Sequence, residues 1–139
     1  MPHRTYYSAV FGELEQAFNT DDPLRAMRCF ALPAVIRSKD GVQVFDKPVD
    51  LAIFFRRRME TNRSRGVKRY AFDLGEMVAA GPVGMAEVIW HRIGHDRYTN
   101  TRIWYIMVKT DHGWRIEGIC NHGRGAGIDN REARAVASA

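Results

Sequence analysis

The sequence predicts an α+β protein in which helices cover one face of a mainly antiparallel sheet, and three observations lead there. Apolar residues recur at helical spacing only in the first half of the chain. Strand-like alternation then runs almost unbroken from Val67 to Asn121. The last three strand-like stretches are joined by turns far too short for crossovers, which disfavours a parallel, doubly wound sheet. At 139 residues and 45% hydrophobic content the chain suits one domain with a single core. Its 7 Phe, 5 Tyr and 3 Trp fit a sheet or a lined cavity better than a plain helical bundle.

From Thr5 to Asn19, the residues Tyr6, Tyr7, Val10, Phe11, Leu14, Ala17 and Phe18 form one stripe of an amphipathic helix. Asp22 followed by Pro23 reads as the N-cap and first turn of a second helix, Pro23 to Phe30, which Pro33 ends. Ala34 to Arg37 and Val42 to Phe45 make a small hairpin about Lys39, Asp40 and Gly41. Asp46 is expected to cap a third helix that carries Leu51, Phe54, Phe55 and Met59 toward Thr61. Its polar side is rich in arginine: Arg56, Arg57, Arg58, Arg63 and Arg65. Gly66 resets the chain into a strand from Val67 to Ala80, bent near Gly75. Strands Gly84 to Ile93, Thr99 to Thr110 and Gly113 to Asn121 follow, with turns at Gly94 to Arg97 and Asp111 to Gly113. The domain is therefore placed at residues 1–121. Residues 122–139 lack a core-sized apolar face and read as a flexible or partner-ordered tail.

The formal charge of +5 permits nucleic-acid binding, but no recognised binding motif accompanies it, and none is expected. Clustered Arg on the third helix keeps a surface solvated or recognises anions. Cys29 and Cys120 sit in apolar surroundings without metal-ligand spacing and read as reduced core thiols. No His or carboxylate pair has ligand spacing on one helix, so no metal is expected, and no cofactor is called for. No segment has the length of a membrane span or the pattern of a signal peptide, which points to a cytoplasmic protein.

The order of elements, together with Thr110-Asp111-His112-Gly113-Trp114-Arg115-Ile116 near the end, resembles the nuclear transport factor 2-like superfamily, also called SnoaL-like or ketosteroid-isomerase-like. The resemblance spans residues 5 to 121. It implies a cystatin-like cone: a strongly curved sheet with helices packed on its concave face, an apolar pocket at the open end, and frequently a homodimer through the outer sheet face. In the steroid isomerases of that superfamily a general-base Asp and a neutral oxyanion-donor Asp carry the reaction. Ungapped matching puts Ser38 and Arg102 at those places, so that chemistry is not expected unless Asp40 is recruited.

Alternation places His91, Arg102, Trp104 and Asn121 on one surface and Val88, Trp90, Ile103, Tyr105, Met107, Ile116 and Cys120 on the other. Pairing Ile93 with Asn100 would set His91 opposite Arg102. Two readings stay open. Either the mixed face lines the pocket, with Arg102 binding an anion, His91 acting as acid or base and Trp104 stacking on a ring, or it is the outer surface and the apolar face is the core. The candidate catalytic residues are His91, Arg102 and Asp40; the candidate ligand-binding residues are Tyr7, Phe11, Ser38, Phe55, Trp104 and Asn121. The expected function is binding of a small, partly apolar or anionic molecule, with or without a lyase, hydrolase or isomerase step. The alternative is an accessory subunit resembling the small subunits of ring-hydroxylating oxygenases.

Overall fold

The computed structural model describes residues 2–121; the expectation of a tail over residues 122–139 lies outside them. Helix α1 (Pro2–Asn19) buries Tyr7, Phe11, Leu14 and Ala17 at steps of three and four, the stripe read from the sequence. Tyr6 departs from it and stands 52% exposed, because the buried face is narrower than the apolar one. Helix α2 (Pro23–Met27) begins as expected, with an Asp22 carboxylate oxygen accepting from the Arg25 backbone N–H at 3.0 Å.

That helix ends three residues early, and strand β1 (Phe30–Ser38) takes over. The sheet outbids the helix here: the Ile116 N–H donates to the Cys29 carbonyl at 2.8 Å and starts a parallel pairing that local propensity cannot register. Pro33 therefore lies inside a strand. Its missing N–H falls where the β1 pairing shifts register, between Phe30 and Val35, so no ladder bond is lost. Strand β2 (Gly41–Phe45) completes the hairpin. Helix α3 (Pro48–Ser64) is capped at Lys47 rather than Asp46, without a side-chain bond; Pro48 at its start brings no N–H that needs one. It buries Leu51, Ala52, Phe55, Met59 and Asn62.

Strands β3 (Val67–Ala80), β4 (Val83–Gly94), β5 (Tyr98–Thr110) and β6 (Gly113–Cys120) follow, and the six-stranded order is β2-β1-β6-β5-β4-β3. All pairings are antiparallel except β1 with β6. Register shifts between Leu74 and Met77 and between Ile106 and Met107 bend the sheet, the first at the expected Gly75.

The register of β4 and β5 corrects the expected one. Ile93 pairs with Tyr98, because the Gly94 N–H closes on the Arg97 carbonyl at 2.8 Å in a tighter turn. His91 thus faces Asn100, and Arg102 faces Ile89. A slip of two residues preserves the faces, and the helices cover the apolar one: Val88, Trp90, Ile103, Tyr105, Met107 and Ile116 are buried beneath them. Phe11 meets Tyr105 edge-on at 4.8 Å between ring centres, and Tyr7 meets Trp114 at 5.2 Å. No helix among the described residues is long and apolar enough to cross a membrane.

Candidate functional site

The covered face does not close completely. Between α3 and the inner face of the sheet lies a chamber of about 140 Å³, walled by Leu14, Phe18, Ile36, Phe54, Phe55, Trp90, Ile103, Tyr105 and Ile119. It leads into a broad mouth of about 780 Å³. Ser38, Arg58, Asn62, Arg92 and Asn121 line both parts, so the two are one continuous cone.

Alternation along β4 explains the junction. Val88 and Trp90 point inward, and the next inward position is Arg92. An apolar strand stripe therefore ends in a guanidinium. Its Nε donates to Thr99 Oγ1 at 3.2 Å, and its terminal nitrogen donates to Thr101 Oγ1, so two hydroxyls from the neighbouring strand hold the fork. Burial pulls the Arg92 pKa down, nearby Arg58 and Arg65 add to that, and Tyr70 and Tyr105 oppose it. The guanidinium stays charged at any ordinary pH, so the downward pull measures the cost of placing the charge there. Lys39, Arg58, Arg65 and Arg97 surround the mouth, against Asp40 and Asp96. Among the described residues none of these bases forms an ion pair.

Deeper in, the Trp90 indole N–H donates to the Tyr105 hydroxyl at 2.7 Å. Burial raises the pKa of Tyr105, which keeps the phenol neutral; Tyr70 is raised for the same reason, opposed by its hydrogen bond with Asn62. Among the described residues no carboxylate lines the chamber. Among the described residues no group of three or more His, Cys, Asp or Glu could hold a metal ion. Cys29 and Cys120 are free thiols, and burial pushes Cys29 up to about 12.

The residues singled out from the sequence divide three ways. Ser38, Phe55 and Asn121 line the cone, with Asp40 exposed at its mouth. Tyr7 and Phe11 are fully buried in the packed core and do not reach the cavity. His91, Arg102 and Trp104 lie on the opposite, outer face of the sheet. There His91 is held between Asp73, at 2.8 Å from Nε2, and the Tyr98 hydroxyl at Nδ1. Arg102 stands 3.5 Å from Glu87. The inward positions nearest Arg102 are Thr101 and Ile103. Asn121 and Cys120 exchange faces relative to plain alternation, because Glu117 is an extra residue opposite the Ile106–Met107 step. Arg92, Tyr105, Trp90, Tyr70 and Asn62 escaped the sequence reading as site residues. For Arg92 a signal existed, since a charged residue continuing an apolar alternation must be paired, solvated or functional.

A six-stranded open cone with helices on its concave face and a chamber at the wide end defines a cystatin-like fold. The chain belongs to the NTF2-like protein family DUF6841, whose model matches residues 5–124. A domain of unknown function with a cystatin-like fold from Nostoc punctiforme superposes with a TM-score of 0.72 at 16% identity, over 97% of this chain and 83% of that one. An NTF-2 like protein of unknown function from Shewanella oneidensis gives 0.70 at 15% identity, over 88% and 99%. A ketosteroid isomerase-like protein from Erwinia carotovora atroseptica gives 0.61 at 14% identity, over 85% and 93%. Among curated proteins none matches the sequence. Likeness at such identities shows the fold and leaves activity to be argued from the site.

Proposed function

We propose that the cone binds a small ring-bearing carboxylic acid, ring inward and carboxylate on Arg92. The observation that carries this reading is Arg92 itself: a half-buried guanidinium, held by two threonine hydroxyls and without an ion pair among the described residues, at the neck of an aromatic-walled chamber. A chamber of about 140 Å³ suits one six-membered ring, since an apolar cavity of roughly 150 Å³ takes benzene. The basic mouth would draw an anion toward it. Among the described residues the chamber offers no carboxylate base for proton abstraction of the steroid-isomerase kind, so the reading is of a binding pocket first.

Calorimetry with benzoate and benzamide tests it. Benzoate should bind roughly 10- to 100-fold more tightly, the worth of a charge-assisted hydrogen-bond pair. Arg92→Met should abolish that preference while leaving the melting temperature equal or higher, because Met fills similar volume without a charge to desolvate. Equal affinity for the two compounds in the wild type, or an unchanged preference in the variant, would sink the proposal.

A second reading concerns association, and a specific row of residues favours it. On the outer face Val78, Met85, Ile106, Gly118, Val35 and Val44 are consecutive ladder partners across all six strands. The five side chains of that row are 37 to 63% exposed. An apolar band crossing a whole sheet is the kind of surface that a second copy covers, as in an isologous homodimer or an accessory subunit.

A further inference from the structure

We infer that the ligand of the cone carries, besides its acid group, an uncharged oxygen that accepts a hydrogen bond from the Tyr105 hydroxyl. The inference rests on the binding reading above and narrows its ligand class to oxo or similarly oxygenated ring acids.

A phenol has one proton to give and lone pairs to receive with. The Tyr105 oxygen already accepts from the Trp90 N–H at 2.7 Å. Its own proton finds no acceptor among the described residues, although Tyr105 is only 3% exposed and lines the chamber. A buried hydroxyl with an unused proton is costly, and one that receives a hydrogen bond is a better donor for doing so. The pair is also rigid. Phe11 packs edge-on against Tyr105 at 4.8 Å between centres, and Phe72 tilts against Trp90 at 5.7 Å, so neither ring can turn away.

Location decides what this hydroxyl can donate to. Tyr105 lines only the inner chamber, whereas Arg92 lines both chamber and mouth. A carboxylate drawn inward to Tyr105 would leave the charged mouth for aromatic walls, which is expensive. A ketone or other neutral oxygen on the far side of the ring meets no such penalty. The two ends of the cone therefore ask for different groups, charged outside and neutral inside.

Titration calorimetry with cyclohexanecarboxylate and 4-oxocyclohexanecarboxylate, on the wild type and Tyr105→Phe, separates this from the binding reading. The wild type should prefer the oxo acid by about threefold to tenfold, one net hydrogen bond. Tyr105→Phe should bind both acids alike, at the affinity the wild type shows for the plain acid. Equal wild-type affinities, or a preference that survives in the variant, would overturn the Tyr105 assignment and leave the acid site standing. Binding of neither acid would overturn both. Infrared spectra of the carbonyl-labelled oxo acid on the wild type need no variant: the ketone stretch of the bound acid should lie below its frequency in an apolar solvent, and a stretch equal to that frequency would refute the donor.

Discussion

Tyr7 shows at the scale of one residue how a plausible site group becomes a structural one. Its hydroxyl is buried without a partner among the described residues, and burial raises its pKa. It lies over Gly84, where an added Cβ would overlap that hydroxyl and stand 2.8 Å from the Val78 carbonyl oxygen. Tyr7→Phe removes an unsatisfied polar atom at nearly constant shape, so denaturant unfolding should show unchanged or up to about 1 kcal/mol greater stability. Gly84→Ala should cost about 1 to 3 kcal/mol by overpacking, and less in the Tyr7→Phe background, where the hydroxyl is gone and the Val78 carbonyl and the ring Cζ, 3.2 Å away, still crowd the new methyl. Additive effects of the two changes would show that the hydroxyl does not set the space above Gly84. His91 teaches the converse lesson. Both its ring nitrogens are engaged on the outer face, by Asp73 from β3 and Tyr98 from β5, so its place is between three strands rather than at the cone.

Among the elements, those with a strong period are legible in the sequence. The α1 stripe, the α3 core face and the β3 bend each follow from residue spacing, because a long amphipathic segment has one way to bury its apolar side. What stayed hidden was decided between elements. The early end of α2 depends on β6 arriving beside β1, some 80 residues later in the chain, and no local pattern encodes that meeting. Which sheet face the helices cover was equally invisible, since alternation defines two faces and not their covers. The fate of Asn121 turned on Glu117, whose extra residue looks in the sequence like any other charged strand position. Deleting Glu117 should remove the bulge and leave Gly118, Ile119 and Cys120 opposite their present partners, so that Ile119 and Asn121 stay turned into the cone. The variant should keep its far-ultraviolet circular dichroism and its benzoate binding; lost binding would mean that the bend made by the bulge, and not only the facing of Ile119 and Asn121, shapes the cone.

For the whole molecule, the outer apolar row and the inner cone place two different demands on one sheet. Ile106 sits at the middle of the row, 41% exposed, with Gly118 beside it offering no side chain. Ile106→Glu should turn a dimer into a monomer in sedimentation velocity while benzoate affinity stays unchanged, because the substitution is on the face away from the chamber. A wild type that sediments as a monomer at every concentration would remove the homodimer. The strand order carries a separate consequence. β6 is the last strand in the chain order of the described residues, yet it lies inside the sheet, joining the β2–β1 hairpin on one side to β5, β4 and β3 on the other. As the chain leaves the ribosome, five strands must wait in two unconnected groups, each with an unpaired edge, until the sixth emerges to seal them together.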